Sequence, residues 1–148
     1  QEQQVSEIDK KFITFYFQAE KNKLLEEYSE ALVAYEKCIS LIPEESSPYY
    51  QLSKLYLYLF QDLDNAKYYI VQAISLDPKN EWYYYELLSI YSIENNLEGQ
   101  LNTHYKLIDI NSTNIIHYLD VISVLTNLKD HRTALKFIKK TEKKLGIM

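Results

Sequence analysis

The feature that most constrains this chain is a helical pattern that recurs at a nearly constant interval along the sequence. Four segments share the pattern, and its first position falls at Ala31, Ala66, Gln100 and Ala134. The intervals between these positions are 35, 34 and 34 residues. A fixed period of this length indicates consecutive supersecondary units, each of which buries its apolar surface against its neighbours.

Each segment has the pattern of a helix that places one stripe of residues against a neighbouring helix. The residue that opens the pattern is alanine in three of the four segments, which leaves room for a close helix crossing. A larger apolar side chain follows one turn later on the same face, as Tyr35, Ile70 and Ile138, and His104 departs from the pattern in the third segment. A second helical pattern precedes each segment, so each unit is predicted to contain two helices.

The composition favours helices over strands. The chain of 148 residues contains 2 Gly and 3 Pro, whereas a β-rich fold of this length needs many more turn residues. Apolar residues make up 47% of the sequence, which is enough to form a continuous core. The length fits one domain.

The period and the paired helices resemble the tetratricopeptide repeat (TPR) family, whose repeat is about 34 residues long. The resemblance covers residues 12–148 and implies an all-α fold, an α-solenoid that forms a right-handed superhelix of about four helix-turn-helix repeats. We expect seven or eight helices and no sheet, with the one-residue excess of the second repeat in its turn at residues 60–64. Residues 1–11 form a lead-in, and the repeats are expected at 12–45, 46–80, 81–114 and 115–148.

The resemblance also implies a concave groove formed by the first helix of each repeat. By family register, the side chains that face this groove are Tyr16, Tyr50, Lys54, Tyr58, Trp82, Tyr85, Ser89, Leu119 and Ser123. Tyrosine and tryptophan are effective anchors for protein partners because they are large, rigid and partly polar. The slot that Tyr50 and Tyr85 occupy is also often tyrosine in this family in general, so a packing role is the alternative.

The function that follows is a protein-interaction scaffold that binds a protein or peptide segment in the groove. The alternative is a ligand-sensing regulatory module of a larger signalling or DNA-binding protein. One TPR subfamily clamps chaperone carboxyl termini with Lys and Asn side chains. The corresponding slots here lack basic residues and hold Tyr16, Glu20, Gln51, Trp82 and Glu86. An acidic tail is therefore not the expected ligand.

The sequence carries no pattern of catalytic residues, and we expect a protein that is not an enzyme and that needs no cofactor or metal. The three histidines, His104, His117 and His131, lie 13 and 14 residues apart and match no metal-binding motif. His104 also falls at a packing position. With only 2 Gly in the chain, a glycine-rich phosphate loop is excluded.

The charge distribution argues against nucleic acid as a partner. The net charge is −5, and the basic residues concentrate in the last helical segment, where they complement the helix dipole. An acidic body repels polyanions. The sequence has no apolar run long enough to predict a membrane span.

Both ends of the sequence suggest a longer native protein. The chain starts at Gln1 rather than Met, and the stretch 76–83 and the ending 142–147 resemble long exported bacterial TPR proteins. This resemblance favours an exported or periplasmic location over a cytoplasmic one. No helix follows the fourth repeat to cover its apolar residues, so we expect either that the native chain continues and covers them or that the chain self-associates through this carboxyl-terminal repeat.

Overall fold

The computed structural model describes residues 4–147, and this part of the chain forms eight α-helices and no β-strand. The helices are α1 (Glu7–Leu24), α2 (Tyr28–Leu41), α3 (Ser47–Tyr58), α4 (Leu63–Leu76), α5 (Glu81–Ile93), α6 (Leu97–Ile110), α7 (Ile115–Asn127) and α8 (His131–Leu145). They form four consecutive pairs, so the predicted all-α helical-repeat fold is confirmed. None of these helices is long and apolar enough to cross a membrane.

Most of the helices begin at a short polar side chain that accepts a backbone N–H of the first turn, as helix amino termini require. These capping residues are Ser6, Asp62, Asn96, Asn114 and Asp130. Because Ser6 caps α1, that helix starts at Glu7, and residues 7–11 of the predicted lead-in are helical.

The turn inside each helix pair repeats one backbone conformation. One residue in each turn has a positive φ, and these residues are Glu26 (60°), Gln61 (52°), Asn95 (53°) and Lys129 (58°). Their spacing equals that of the sequence pattern, 35, 34 and 34 residues. Three turns close with an amide bonded to the carbonyl five residues earlier, as Glu27 N–H to Asn22 at 2.8 Å. In the second turn the Asp62 N–H instead donates to the carbonyl of Tyr56, six residues earlier. The extra residue of the second repeat therefore lies in this turn, which overlaps the predicted segment 60–64.

The chain divides into two compact units, Gln1–Tyr83 and Tyr84–Met148. Unit 1 contains α1 to α4 and the first residues of α5, and its core is formed by Ala19, Ala31, Ala34, Tyr35, Leu52 and Leu55. Unit 2 contains the rest of α5 and α6 to α8, and its core is formed by Ile108, Tyr118, Val121, Leu125 and Ala134. In unit 2, α7 packs against both α6 and α8.

Small residues lie where the paired helices cross, as the sequence pattern predicts. Ala31 and Ala66 are fully buried and Ala134 nearly so. The Ser53 hydroxyl on α3 donates to the Ala66 carbonyl on α4 at 2.8 Å, which joins the two helices at their crossing. In the third pair, Gly99 provides the space instead of Gln100, because a Cβ at Gly99 would lie 2.9 Å from the Tyr91 ring. The small residue is therefore shifted by one position in that pair.

Candidate functional site

Unit 1 holds five of the residues predicted to face the groove, and they differ in exposure. Tyr16 on α1 is half-buried, with its ring 5.5 Å from the Tyr35 ring. Tyr50 on α3 packs against Tyr83 with ring centroids 4.9 Å apart, and the Lys54 Nζ lies 5.3 Å from the Tyr50 ring centroid. Tyr58 is 56% exposed and Trp82 is 68% exposed. The structure thus brings Tyr50 and Lys54 into contact on α3.

A polar network joins α1 to α3 and α2 beside these aromatic residues. The Lys23 Nζ donates to both Glu20 carboxylate oxygens at 3.3 Å and to Gln51 Oε1 at 3.0 Å. The buried Tyr35 hydroxyl also donates to Glu20. Burial raises the pKa of Tyr35, and its hydrogen bond to Glu20 raises that pKa further. The negative charge of Glu20 and the positive charge of Lys23 therefore compensate each other within the fold.

A cleft of about 240 Å³ lies next to this network. Its lining combines apolar and polar side chains: Lys23, Leu24, Tyr28, Gln51, Lys54, Leu55, Tyr58 and Leu59. Several of the apolar side chains, Leu24 and Leu59 among them, are exposed. The cleft thus offers an apolar surface with Lys54 and Gln51 as polar groups at its edge.

Unit 2 holds the other four predicted residues. The Tyr85 hydroxyl lies 3.2 Å from His117 Nε2. Ser89, one turn further along α5, donates its hydroxyl to the Tyr85 carbonyl at 3.2 Å. On α7, Leu119 and Ser123 are both exposed. Tyr85 and Ser89 are therefore in contact with each other, while Leu119 and Ser123 lie one turn apart on a different helix.

A histidine cluster in unit 2, formed by His104, His117 and Asp120, joins α6 to α7. One ring nitrogen of each histidine and one Asp120 oxygen all lie within 4.8 Å of one another. His104 Nδ1 is 3.7 Å from Asp120 Oδ2. Burial lowers the pKa of His104, the Asp120 carboxylate opposes that shift, and His117 lowers the pKa further. The donor set of two imidazoles and a carboxylate is one that binds divalent transition metals.

The spacing of the histidines alone did not predict this cluster. His104 and His117 lie on different helices, so their contact depends on how α6 packs against α7. One signal was present in the sequence, since His117 and Asp120 are three residues apart and share a helix face. The polar network around Glu20 was also not predicted, because it depends on the Lys23 side chain crossing to Gln51.

The carboxyl-terminal helix lines a further cavity of about 350 Å³ in unit 2. Aromatic and basic side chains share its lining, which includes Tyr105, Tyr118, Phe137, Lys136, Lys140 and Lys144. Elsewhere on α8, Leu135 is 59% exposed. This helix therefore presents apolar surface, and self-association through it stays a prediction.

The sequence and the fold are both similar to known repeat proteins. The sequence model of the family described as tetratricopeptide repeat matches residues 46–80, which the sequence analysis assigns to the second repeat. No curated protein matches the chain. A crystal structure of MamA superposes with a TM-score of 0.69 at 17% identity, covering 97% of each chain.

Two other solved structures share the fold. The first TPR domain of Spaghetti (RPAP3), bound to the HSP90 peptide SRMEEVD, has a TM-score of 0.66 at 14% identity, covering 81% of this chain and 97% of that one. A mutant of the Thermobaculum terrenum O-GlcNAc transferase has a TM-score of 0.64 at 13% identity, covering 82% of this chain and 23% of that one.

This protein is an all-α helical-repeat solenoid. Its helices are paired, the pairs recur at a fixed period, and solved structures with the same fold are solenoids of this kind. Within that class, residues 46–80 match the tetratricopeptide-repeat family model, and the solved structures that share the fold include a TPR domain. One protein with this fold, the Spaghetti domain, is bound to a peptide in its solved structure.

Proposed function

We propose that the chain is a non-enzymatic scaffold that binds an extended peptide segment on the surface that α1 and α3 form in unit 1. The observation that carries the proposal is the cleft between these helices, where exposed apolar and aromatic side chains lie beside Lys54 and Gln51. A mixed surface of this kind suits a partner with one apolar anchor and polar backbone groups.

The chemistry of the cleft specifies the ligand further. An apolar or aromatic side chain of the peptide enters between Leu24, Leu55 and Tyr58, and Lys54 donates to a carbonyl or carboxylate nearby. The ligand differs from the peptide SRMEEVD that the Spaghetti domain binds. Lys23 is already engaged by the Glu20 carboxylate and is not available to a ligand carboxylate, so an acidic carboxyl terminus is poorly matched.

The residues predicted in unit 2 lie on two of its helices and are a second candidate. Leu119 and Ser123 are exposed on α7, and Tyr85 and Ser89 lie on α5. We propose that these residues also contact a protein partner, with Leu119 as the apolar contact. The net charge of −5 supports a protein or peptide over a polyanion as the partner of either candidate.

Two tyrosines of equal exposure provide a matched test. Tyr58 on α3 and Tyr68 on α4 are each 56% exposed, but only Tyr58 lines the cleft. Peptides that bind the protein are selected from a displayed random library, and the affinity of each variant for them is measured by fluorescence anisotropy. Tyr58→Ala is expected to weaken binding at least about ten-fold, as loss of an anchor does, and Tyr68→Ala is expected to leave it within about two-fold. Equal losses in both variants, or no loss with Tyr58→Ala, would contradict the proposed site.

A regulatory module within a larger protein is the second candidate. The O-GlcNAc transferase structure favours this candidate, because the matching fold covers only 23% of the transferase chain and is therefore part of a larger protein there. Sequencing the complete native gene separates the two candidates. A catalytic or DNA-binding domain on the same polypeptide would support the regulatory module, and its absence would support the scaffold.

A further inference from the structure

The histidine cluster of unit 2 goes beyond peptide binding, because its three side chains match the donor set of a metal site. His117 and Asp120 lie one turn apart on the same face of α7, and His104 reaches them from α6. Both histidines are buried residues, with 2% exposure for His117 and 8% for His104.

The buried nitrogens give a second, independent indication. The Nδ1 atoms of His104 and His117 are both buried without a hydrogen-bond partner. A buried polar atom without a partner costs free energy, so two of them within one cluster call for a ligand that satisfies both. A metal cation satisfies both once each Nδ1 presents its lone pair, which for His117 requires the ring proton to move from Nδ1 to Nε2.

We propose that His104, His117 and Asp120 bind a divalent transition-metal ion, with Zn²⁺ as the best chemical match. Two imidazoles and a carboxylate leave a fourth position for water, as in zinc sites with three protein ligands. The Asp120 side chain is partly exposed, which gives the ion a route from solvent. In a tetrahedral zinc site neighbouring donor atoms lie about 3.3 Å apart, so side-chain rotation must draw the present atoms somewhat closer.

The hydrogen bonds of His117 determine which of its ring nitrogens is available to a metal ion. Its Nε2 lies 3.2 Å from both the Tyr85 hydroxyl and Asn114 Nδ2. In the metal-free protein Asn114 donates to Nε2, so the ring proton is on Nδ1. When the metal takes Nδ1, the ring proton moves to Nε2, where the Tyr85 oxygen accepts the N–H and the Asn114 amide turns away. Such outer hydrogen bonds orient metal-binding imidazoles.

The experiment uses the chain without a histidine tag, after treatment with chelator. Isothermal titration with ZnCl₂ is expected to show one ion per chain, with a rise in melting temperature because the ion binds the folded state. Asp120→Asn and His104→Gln are each expected to weaken zinc binding at least about ten-fold. Circular dichroism of each variant confirms that the helices remain.

Two matched controls keep the site assignment testable. His131 and Asp109 are exposed and lie outside the cluster, so His131→Ala and Asp109→Asn are expected to bind zinc like the unmodified chain. The ¹⁵N shifts of the His117 ring provide a second readout, because zinc is expected to move the proton from Nδ1 to Nε2. The proposal is wrong if zinc does not bind, or if binding is lost with His131→Ala and kept with Asp120→Asn. In that case the sequence-based expectation that the protein needs no metal stands.

Discussion

The left-handed turn residues offer a sharp test of the repeat architecture through one pair of identical substitutions. Glu26 lies in the turn between α1 and α2 with φ of 60°. A side chain in this region costs roughly 1–2 kcal/mol, because Cβ approaches the following carbonyl oxygen. Glycine removes that cost but loses about 0.5–1 kcal/mol through its greater freedom in the unfolded chain. We therefore expect Glu26→Gly to stabilise the protein by about 0.5–1 kcal/mol.

The same substitution inside a helix has the opposite sign. Glu36 is exposed in the interior of α2, where glycine in place of an ordinary residue costs about 1 kcal/mol. Thermal unfolding followed by circular dichroism compares the two variants, and each kcal/mol corresponds to roughly 2–4 °C at this chain length. Glu26→Gly should raise the midpoint and Glu36→Gly should lower it.

The other turns extend the test. Gln61→Gly and Lys129→Gly should each stabilise the protein by a similar amount. Because the turns are distant from one another, the free-energy changes of combined substitutions should add. Asn95→Gly should change little, because asparagine tolerates the left-handed conformation. If Glu26→Gly lowers the midpoint as much as Glu36→Gly, the turn does not have the described conformation and the reasoning fails.

Three further predictions concern packing, pH and assembly. Ala66→Leu should destabilise the protein by roughly 1–3 kcal/mol through overpacking of the α3–α4 crossing, and an unchanged urea midpoint would contradict this packing. Hydrogen bonds from Thr133 hold the pKa of the Asp130 carboxyl below its usual value, so its stabilising contribution is present near neutral pH and lost as the pH falls below about 4. Thermal melts should show that Asp130→Asn lowers the melting temperature at neutral pH but not in acid, and an equal difference at both pH values would refute the assignment. Sedimentation over a wide concentration range should show self-association that Leu135→Ser weakens, and a strictly monomeric chain would exclude it.

The helices and their crossings were predictable because their signals are local and repeated. Small residues at a fixed period mark the close crossings, and Ala31 and Ala66 are fully buried as that pattern requires. The third pair departs from the pattern because Gly99, one position before Gln100, makes the close approach to Tyr91. A period defined by the other three pairs cannot reveal a shift of one residue.

The turns were harder to predict because their residues carry no local signal. Glycine usually marks a left-handed helix end, yet Glu26, Gln61 and Lys129 adopt this conformation here. The turn is imposed by the packing of the paired helices rather than by the preference of the residue itself.

The candidate sites depend on contacts between helices, which a single sequence specifies least. Family register predicts which side chains of the first helices face a groove, and that stays a prediction, but it did not predict that Lys23 bridges Glu20 and Gln51. The histidine cluster combines residues 13 positions apart in the chain with a carboxylate on the second helix. Only the packing of α6 on α7 brings these groups together.

The most direct test of the central claim is a residue-by-residue map of where a bound peptide lies. At 17.6 kDa the protein suits two-dimensional ¹H–¹⁵N NMR, and a library-selected peptide can be titrated into the labelled chain. Peptide binding on the proposed surface predicts amide shift changes concentrated in α1 and α3, around Lys23, Gln51, Lys54 and Tyr58. Changes concentrated instead on the outer faces of α2 and α4, or on α8, would contradict the account.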